Sequence, residues 1–186
     1  MWAAPALVLG GAPWIAGLRL NLTRSLPIGL YVASRAALAR GVTVLVCLPP
    51  GVARFAKARG YVPRGGSCPE GIAPIGKRVL GVPGDSICVT AAGLVVNGTP
   101  VANTRPLRLD HRGQPLPRLA LGCSVVAPGH LWVVSSYSPA SFDSRYFGAI
   151  ASGDVRSSVR LLWRWVVPEG PGQDTISGRF LRFRNP

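Results

Sequence analysis

Near its middle the chain reads Lys77-Arg-Val-Leu-Gly-Val-Pro-Gly-Asp85, and it continues as Ser86-Ile-Cys-Val-Thr-Ala-Ala-Gly-Leu-Val-Val-Asn-Gly98. The second part holds two short alternating apolar runs on either side of Ala91-Ala92-Gly93, which predicts a β-hairpin with a further turn at Asn97-Gly98. The first part is apolar and interrupted by turn residues, so we expect its lysine to be partly desolvated.

Outside this stretch the pattern also favours short strands. Val42–Leu48 predicts a buried strand that ends at Pro49-Pro50-Gly51, and Val52–Gly60 predicts a short helix with a basic, solvated face that includes Lys57. Strand character returns at Leu131–Ser135 and again at Val159–Trp163. The pattern therefore indicates a mainly β protein.

The composition supports one folded domain with a short appendage. The chain has 186 residues, of which 48% are hydrophobic and 15% charged, so a disordered chain is excluded and a real core is expected. It contains 23 Gly and 18 Pro without a three-residue period, which excludes collagen and disfavours long helices.

The net charge of +14 raises the question of a nucleic-acid partner. The arginines are scattered from Arg19 to Arg184, with no block of five basic residues and no nucleic-acid-binding motif. We therefore expect no nucleic acid, and anionic membrane lipid is a partner that fits the charge at least as well.

The four cysteines are Cys47, Cys68, Cys88 and Cys123. Because no CxxC pair occurs among them, a zinc site or a thioredoxin-type motif is disfavoured. Two disulfides or free buried thiols both remain open, and four cysteines allow three pairings. Disulfides would indicate an oxidising compartment.

The N-terminus is apolar, and residues 2–18 contain no charged side chain. We interpret residues 1–18 as an uncleaved membrane anchor, with a cleavable signal peptide as the alternative. The positive-inside rule would hold the arginines that follow this segment in the cytoplasm. A translocated domain therefore requires either that this bias is overridden or that Met1 is not the true start. Residues 19–167 then form the main domain, with a variable loop at 99–122, and residues 168–186 form a flexible basic tail.

Three segments together suggest an activity. Ser25 lies in Asn21-Leu-Thr-Arg-Ser-Leu-Pro-Ile-Gly-Leu-Tyr31, Lys77 opens the stretch quoted above, and the third segment is Ser138-Pro-Ala-Ser-Phe-Asp-Ser-Arg-Tyr-Phe-Gly148. In this order and spacing they resemble the signal peptidase I superfamily of Ser/Lys proteases. Within it, the Pro-Ile-Gly-Leu-Tyr run after Ser25 resembles the TraF-type branch of conjugative plasmid transfer.

The chemistry of a serine protease explains the two central residues. A serine hydroxyl attacks an amide only if a neutral base takes its proton, and a buried lysine with a lowered pKa can be that base. The resemblance implies that Ser25 is the nucleophile and Lys77 the base. It further implies that Ser141 orients the Lys77 amine without any carboxylate contacting that amine.

The remaining roles also come from the resemblance. Asp143 and Arg145 are expected to pair with each other and support the site. The backbone N–H of Ser25 and the hydroxyl of Thr23 are expected to bind the oxyanion. Arg24 departs in character from the small or apolar residue expected there, and an acidic substrate feature is one hypothesis for it.

Other readings are weaker. His111 and His130 have no motif around them, which disfavours a Ser-His-Asp triad. A housekeeping signal peptidase fits the segment after Ser25 poorly, and a non-catalytic anchored component of a transfer machine remains an alternative.

Altogether the resemblance implies signal-peptidase-like curved antiparallel sheets, a pilin or other precursor protein as substrate, and a bacterial inner-membrane enzyme facing the periplasm. It would hydrolyse or cyclise that precursor. No metal or cofactor is implied.

Overall fold

The structure, a computed structural model, describes residues 17–165. Most of the elements in this part of the chain are short antiparallel β-strands. In chain order they are β1 (Leu18–Asn21), β2 (Gly29–Ser34), β3 (Thr43–Val46), β4 (Arg64–Cys68), β5 (Ile75–Gly81), β6 (Ser86–Val89), β7 (Leu94–Val96), β8 (Thr99–Pro100), β9 (Gly122–Val125), β10 (His130–Val134), β11 (Ile150–Ala151) and β12 (Val155–Arg164). The helices are α1 (Pro50–Ala58), α2 (Ser144–Phe147) and 3-10 turns at Pro69–Gly71 and Ser152–Asp154.

Eleven of the twelve strands in residues 17–165 form two sheets, and β4 makes only isolated bridges to Ile72. The larger has seven strands in the order β1-β2-β12-β3-β5-β10-β11, and the smaller has four in the order β8-β7-β6-β9. Strand β12 pairs with β2 on one side and β3 on the other, and its register shifts between Leu161 and Trp163. Such bulges bend a strand and increase its twist. The prediction of a mainly β fold is confirmed.

The hairpin expected after Asp85 is present. Strands β6 and β7 pair in antiparallel fashion, with Ile87 opposite Val96 and Val89 opposite Leu94. Asn97 and Gly98 both have positive φ angles, of 49° and 80°, as an Asn-Gly hairpin turn requires. The Asn97 amide also donates to Asp85 Oδ1 at 2.9 Å, which ties the turn to the start of the hairpin.

The helix α1 begins with Pro50 at its first turn and buries Ala53 and Ala56 against the core. The expected solvated face is present in part, since Arg54 pairs with Glu70, while the Lys57 amine donates to the Glu70 carbonyl. The helix packs on one apolar cluster that contains Leu48 and Ile72. The large sheet carries a separate cluster of buried valine, leucine and isoleucine side chains from β3, β5, β10 and β11.

All four cysteines are oxidised. Cys47 bonds to Cys68, which joins the end of β3 to β4, and Cys88 bonds to its direct cross-strand partner Cys123. This settles the choice between thiols and disulfides, and it selects one of the three possible pairings.

The predicted anchor and tail fall almost wholly outside residues 17–165. The anchor's last residue, Leu18, opens β1. Within the described part of the chain, no helix is both long and apolar enough to cross a bilayer.

Candidate active site

Lys77 places a buried amine at the centre of the site. It lies on β5 opposite Val44 of β3, and only 3% of it is exposed. Its Nζ donates to the hydroxyl of Ser141 at 2.7 Å. No ion pair joins it to a carboxylate anywhere in residues 17–165.

Burial sets the protonation of this amine. Desolvation lowers the pKa of Lys77 from 10.5 to about 8, although the charge of Asp143 raises it and that of Arg145 lowers it further. A lysine with such a pKa is partly neutral near pH 8, so it can accept a proton as a base.

A buried ion pair supports Ser141 from behind. Asp143 and Arg145 are both essentially inaccessible, and the guanidinium makes two hydrogen bonds of 2.8 Å to the carboxylate, one from Nε and one from Nη2. Nη2 also donates to the backbone carbonyl of Ser141 at 3.0 Å. The pair therefore fixes the chain segment that presents the Ser141 hydroxyl to Lys77, because bidentate pairing restricts the geometry of both side chains.

Ser25 lies in the loop between β1 and β2. The next residue, Leu26, is buried and packs so tightly on β5 that a Cβ built on Gly76 would lie 2.8 Å from its Cδ1. This contact holds Ser25 against β5, where Lys77 directly follows Gly76. Within residues 17–165, no hydrogen bond joins the Ser25 hydroxyl to the Lys77 amine.

Ser135 forms a second link to the loop. Its hydroxyl donates to the Ser25 carbonyl at 2.5 Å, and its backbone N–H donates to Asp143 Oδ2 at 2.9 Å. Ser135 directly follows Val134, the last residue of β10, and Val134 pairs with Arg78 of β5. Ser135 therefore lies close to Lys77, the residue before Arg78. The structure therefore brings together the Ser25 loop, Lys77, Ser141 and the ion pair from three distant parts of the sequence.

Comparisons with known proteins identify the family of this chain. A family model described as "Signal peptidase, peptidase S26" matches residues 15–165. The chain belongs to the peptidase S26 family. Membership in this family implies serine peptidase activity.

The peptidase also has relatives in plasmid transfer. It is 37% identical over 161 residues to an Escherichia coli "Plasmid transfer protein TraF", covering 86% of this chain and 90% of that protein. It is 41% identical over 161 residues to a "Conjugal transfer protein TraF" of Agrobacterium fabrum, and the match covers 83% of this chain and 88% of that protein. A signal peptidase I structure from Enterococcus faecalis is 18% identical and covers 67% of this chain and 98% of that one, with a TM-score of 0.39.

A cavity of about 540 Å³ opens beside Ser25 in this peptidase. Arg78 is the charged residue of its wall, and the other lining residues carry hydroxyl or apolar groups. They are Ser25, Leu26, Pro27, Tyr31, Gly41, Thr43, Ser135, Ser136, Tyr137 and Leu161. Such a cavity can receive side chains of an extended substrate next to the serine.

Thr23 and Arg24 are exposed at the surface of the loop. The Thr23 hydroxyl donates to Asn21 Oδ1 at 2.8 Å, so its hydrogen is bonded within the loop itself. His111 and His130 are exposed elsewhere on the surface, away from the residues that surround Lys77.

Two site residues were missed in the sequence. The Asn21 side-chain amide donates to the carbonyls of Thr23, Leu26 and Pro27 at 3.0–3.2 Å, so it holds both ends of the serine loop. Local side-chain bonding by Asn to nearby backbone is common in turns, which was an available signal. Ser135 gave no signal, because its bond to the Ser25 carbonyl joins residues 110 positions apart.

Proposed function

We propose that this chain is a membrane-anchored serine endopeptidase that processes a conjugative pilin precursor, with Ser25 as nucleophile and Lys77 as general base. The observation that carries the dyad is the buried Lys77 amine, with its pKa lowered to about 8 and its hydrogen bond to Ser141. Family membership supplies the reaction class, acyl transfer from a peptide bond.

The reaction begins with neutral Lys77. The Ser25 oxygen attacks the scissile carbonyl carbon while its proton passes to the Lys77 amine, giving a tetrahedral oxyanion. This oxyanion collapses as the C–N bond breaks and the ammonium of Lys77 returns the proton to the leaving amine. An acyl-enzyme remains on Ser25. Water then releases a linear product, or an amine of the same precursor releases a cyclic one.

The surroundings of Lys77 suit both halves of this cycle. The amine donates one hydrogen bond to Ser141, which leaves its lone pair free to accept the serine proton. Burial disfavours the charged form, so the ammonium readily gives the proton back. A direct carboxylate contact would oppose this, and instead Arg145 pairs with the nearest carboxylate, Asp143.

The oxyanion donors would be the Ser25 N–H and the Thr23 hydroxyl. Thr23 must first exchange its bond to Asn21 for one to the substrate. This requires only rotation of one exposed side chain, because Asn21 keeps the loop in place through its amide group.

An apolar surface next to the serine loop supports the membrane location. Leu20 and Trp163 are both opposite Leu30 across neighbouring strand pairs, so the three side chains share one face of the sheet. Leu22, Trp163 and Trp165 are 69%, 65% and 42% exposed. Tryptophan and leucine exposed together favour the membrane interface, which would bring a precursor anchored in the bilayer to Ser25.

The two disulfides support a periplasmic location for the domain, because such bonds persist in oxidising compartments. The TraF names of the relatives, from plasmid and conjugal transfer, support a precursor that belongs to a transfer system. The precursor that we propose is a pilin of that system.

The test uses the full chain solubilised in detergent and the pilin precursor encoded with it. Wild type, Ser25→Ala and Lys77→Ala are incubated with the precursor, and products are weighed by mass spectrometry. Lys57→Ala is the matched control, because it removes the other lysine of the chain. Circular dichroism checks that each variant is folded.

We expect cleavage by wild type and Lys57→Ala and none by the two dyad variants. A product lighter by one water than the linear peptide identifies cyclisation. If folded Ser25→Ala or Lys77→Ala still cleaves, the dyad is wrong. If plasmid transfer in cells survives Ser25→Ala, the chain is instead a non-catalytic component of the transfer machine. If it cleaves many secreted proteins, it is instead a housekeeping signal peptidase.

A further inference from the structure

A second cavity, of about 400 Å³, lies outside the proposed catalytic site. Three arginines from the segment between β8 and β9 line it, namely Arg105, Arg108 and Arg118. Apolar side chains, among them Val89, Leu107 and Leu119, form the rest of its wall. A cavity that combines several guanidinium groups with apolar surface is suited to an anionic ligand that also has apolar parts.

The three arginines are not neutralised within residues 17–165. The ion pairs of this part of the chain involve other arginines and are Arg40–Asp85, Arg54–Glu70, Arg59–Asp110 and Arg145–Asp143. Arg145 also lines the cavity, but its charge is already matched by Asp143. Three unmatched positive charges therefore line one cavity whose wall, among the described residues, contains no carboxylate, an arrangement that a bound anion would stabilise.

The segment that carries these arginines is held in place by hydrogen bonds, both within the segment and to neighbouring parts of the chain. Thr104 is buried, and its hydroxyl donates to the Val101 carbonyl at 2.6 Å while it accepts from Leu94 N at 2.9 Å. Leu107 N donates to the Tyr146 hydroxyl at 3.0 Å, and Leu116 N donates to the Arg108 carbonyl at 3.0 Å. Because the backbone is ordered beforehand, a ligand loses less free energy in fixing it.

An unpaired strand edge adjoins the cavity. Strand β9 is the outer strand of the four-stranded sheet, all four of its residues are exposed, and it begins directly after Leu121 of the cavity wall. The Cys88–Cys123 disulfide fixes this strand to β6. Exposed edges of this kind accept an extended peptide as an added strand.

We propose that this cavity binds an acidic, extended protein segment that carries apolar side chains among its carboxylates. Arginine binds carboxylates in a bidentate manner, and the apolar wall takes the intervening side chains. Nucleic acid fits less well, because no aromatic side chain that could stack on a base lines the cavity in the described part of the chain. Lipid fits less well because the exposed tryptophans lie at the β1–β12 side of the other sheet.

The test measures binding and needs no peptidase activity. The probe is a fluorescein-labelled octapeptide of alternating Glu and Val, and its control replaces each Glu with Gln. Fluorescence anisotropy gives Kd for the detergent-solubilised full chain, for Arg105→Gln/Arg108→Gln/Arg118→Gln, and for a matched variant with the same loss of charge. The matched variant is Arg35→Gln/Arg64→Gln/Arg160→Gln, at exposed positions outside the cavity.

We expect wild type and the matched variant to bind the Glu peptide with similar Kd, at least tenfold tighter than the Gln peptide. The cavity variant should lose at least tenfold in affinity. Equal losses in both triple variants would reduce the effect to net charge and overturn the proposal, as would absent binding to wild type. If the cavity triple variant does not fold, Arg108→Gln and Arg118→Gln are measured singly, and unchanged Kd in both overturns it.

A lipid arm separates the other source of negative charge. Dihexanoyl phosphatidylglycerol, an anionic lipid, is titrated into the same proteins, and dihexanoyl phosphatidylcholine, which has no net charge, is the control. One outcome would make the cavity a lipid-headgroup site and the peptide proposal wrong. In it, the anionic lipid binds wild type but not the cavity variant, and the Glu peptide binds neither.

Discussion

The Lys77 amine lies 2.7 Å from the Ser141 hydroxyl, although 64 positions separate the two residues in the sequence. Strand β5 supplies the lysine, and the segment after β10 supplies the serine. Because the hydroxyl accepts a hydrogen from the amine, it fixes the direction of the nitrogen lone pair without adding a charge. This neutral contact lets burial lower the pKa of the lysine, whereas a carboxylate at the same position would raise it.

The pH dependence of cleavage should report Lys77. The pKa of this lysine is lowered to about 8 by burial, and only the neutral amine accepts the serine proton. We therefore expect kcat/KM to rise about tenfold per pH unit below pH 8 and to level off above it. Steady-state rates with a fluorogenic precursor peptide between pH 5.5 and 10 measure this. A profile that levels off near pH 6.5 would instead indicate a histidine base.

Ser141→Ala should reduce kcat by about 10²-fold with little change in KM, since the variant loses the orientation of the base rather than substrate contacts. Ser141→Thr keeps a hydroxyl and should recover part of the rate. The two variants are compared by kcat, KM and the pH profile. Equal rates for Ser141→Ala and wild type would remove Ser141 from the mechanism.

Lys77→Met should make the protein more stable at neutral pH. The folded state lowers the lysine pKa from 10.5 to about 8, so the unfolded chain binds more protons between these values and wild-type stability rises with pH there. Below pH 8 the destabilisation is fully present, and removing it is worth up to about 3 kcal/mol. Urea unfolding at pH 7 and pH 10 measures the gain.

Lys57→Met is the control for this experiment, because Lys57 lies on α1 and only donates to a carbonyl. It should give no gain in stability. If Lys77→Met proves less stable than wild type at pH 7, burial of the ammonium is not the cost that we assign to it.

Asp143→Asn should destabilise the fold by about 3–5 kcal/mol, because it leaves the guanidinium of Arg145 buried without its counter-charge. The exposed pair Arg54–Glu70 offers a matched comparison, and Glu70→Gln should cost less than about 1 kcal/mol. Thermal unfolding of both variants tests this difference. Similar melting temperatures would show that the buried pair contributes little.

The disulfide between Cys88 and Cys123 closes a loop across 35 positions and fixes β9 to β6. Cys88→Ala/Cys123→Ala should lower the free energy of unfolding by about 2–4 kcal/mol. A larger fall is expected when wild type is unfolded in the presence of a reductant, because Cys47–Cys68 is then opened as well. Unchanged stability in both measurements would show that the bonds do not form in the purified protein.

The sequence alone determined the local elements. Alternating apolar residues on either side of Ala91-Ala92-Gly93 predicted the hairpin, and Asn97-Gly98 predicted the turn that follows it. The pattern from Val52 predicted the short helix α1, which in the structure begins two residues earlier, at Pro50. The order of the Ser25, Lys77 and Ser141–Arg145 segments predicted the family. These features depend on residues close together in the chain, where the side-chain pattern fixes the backbone.

Tertiary structure decided the contacts between distant segments. Nothing in the spacing of four cysteines chooses among three pairings, because the choice depends on which strands become neighbours. The same holds for Ser135, which reaches Ser25 across 110 positions only because β10 lies beside β5. The burial that lowers the Lys77 pKa is likewise a property of the packed sheet, since desolvation depends on every segment that surrounds the amine and not on its sequence neighbours alone.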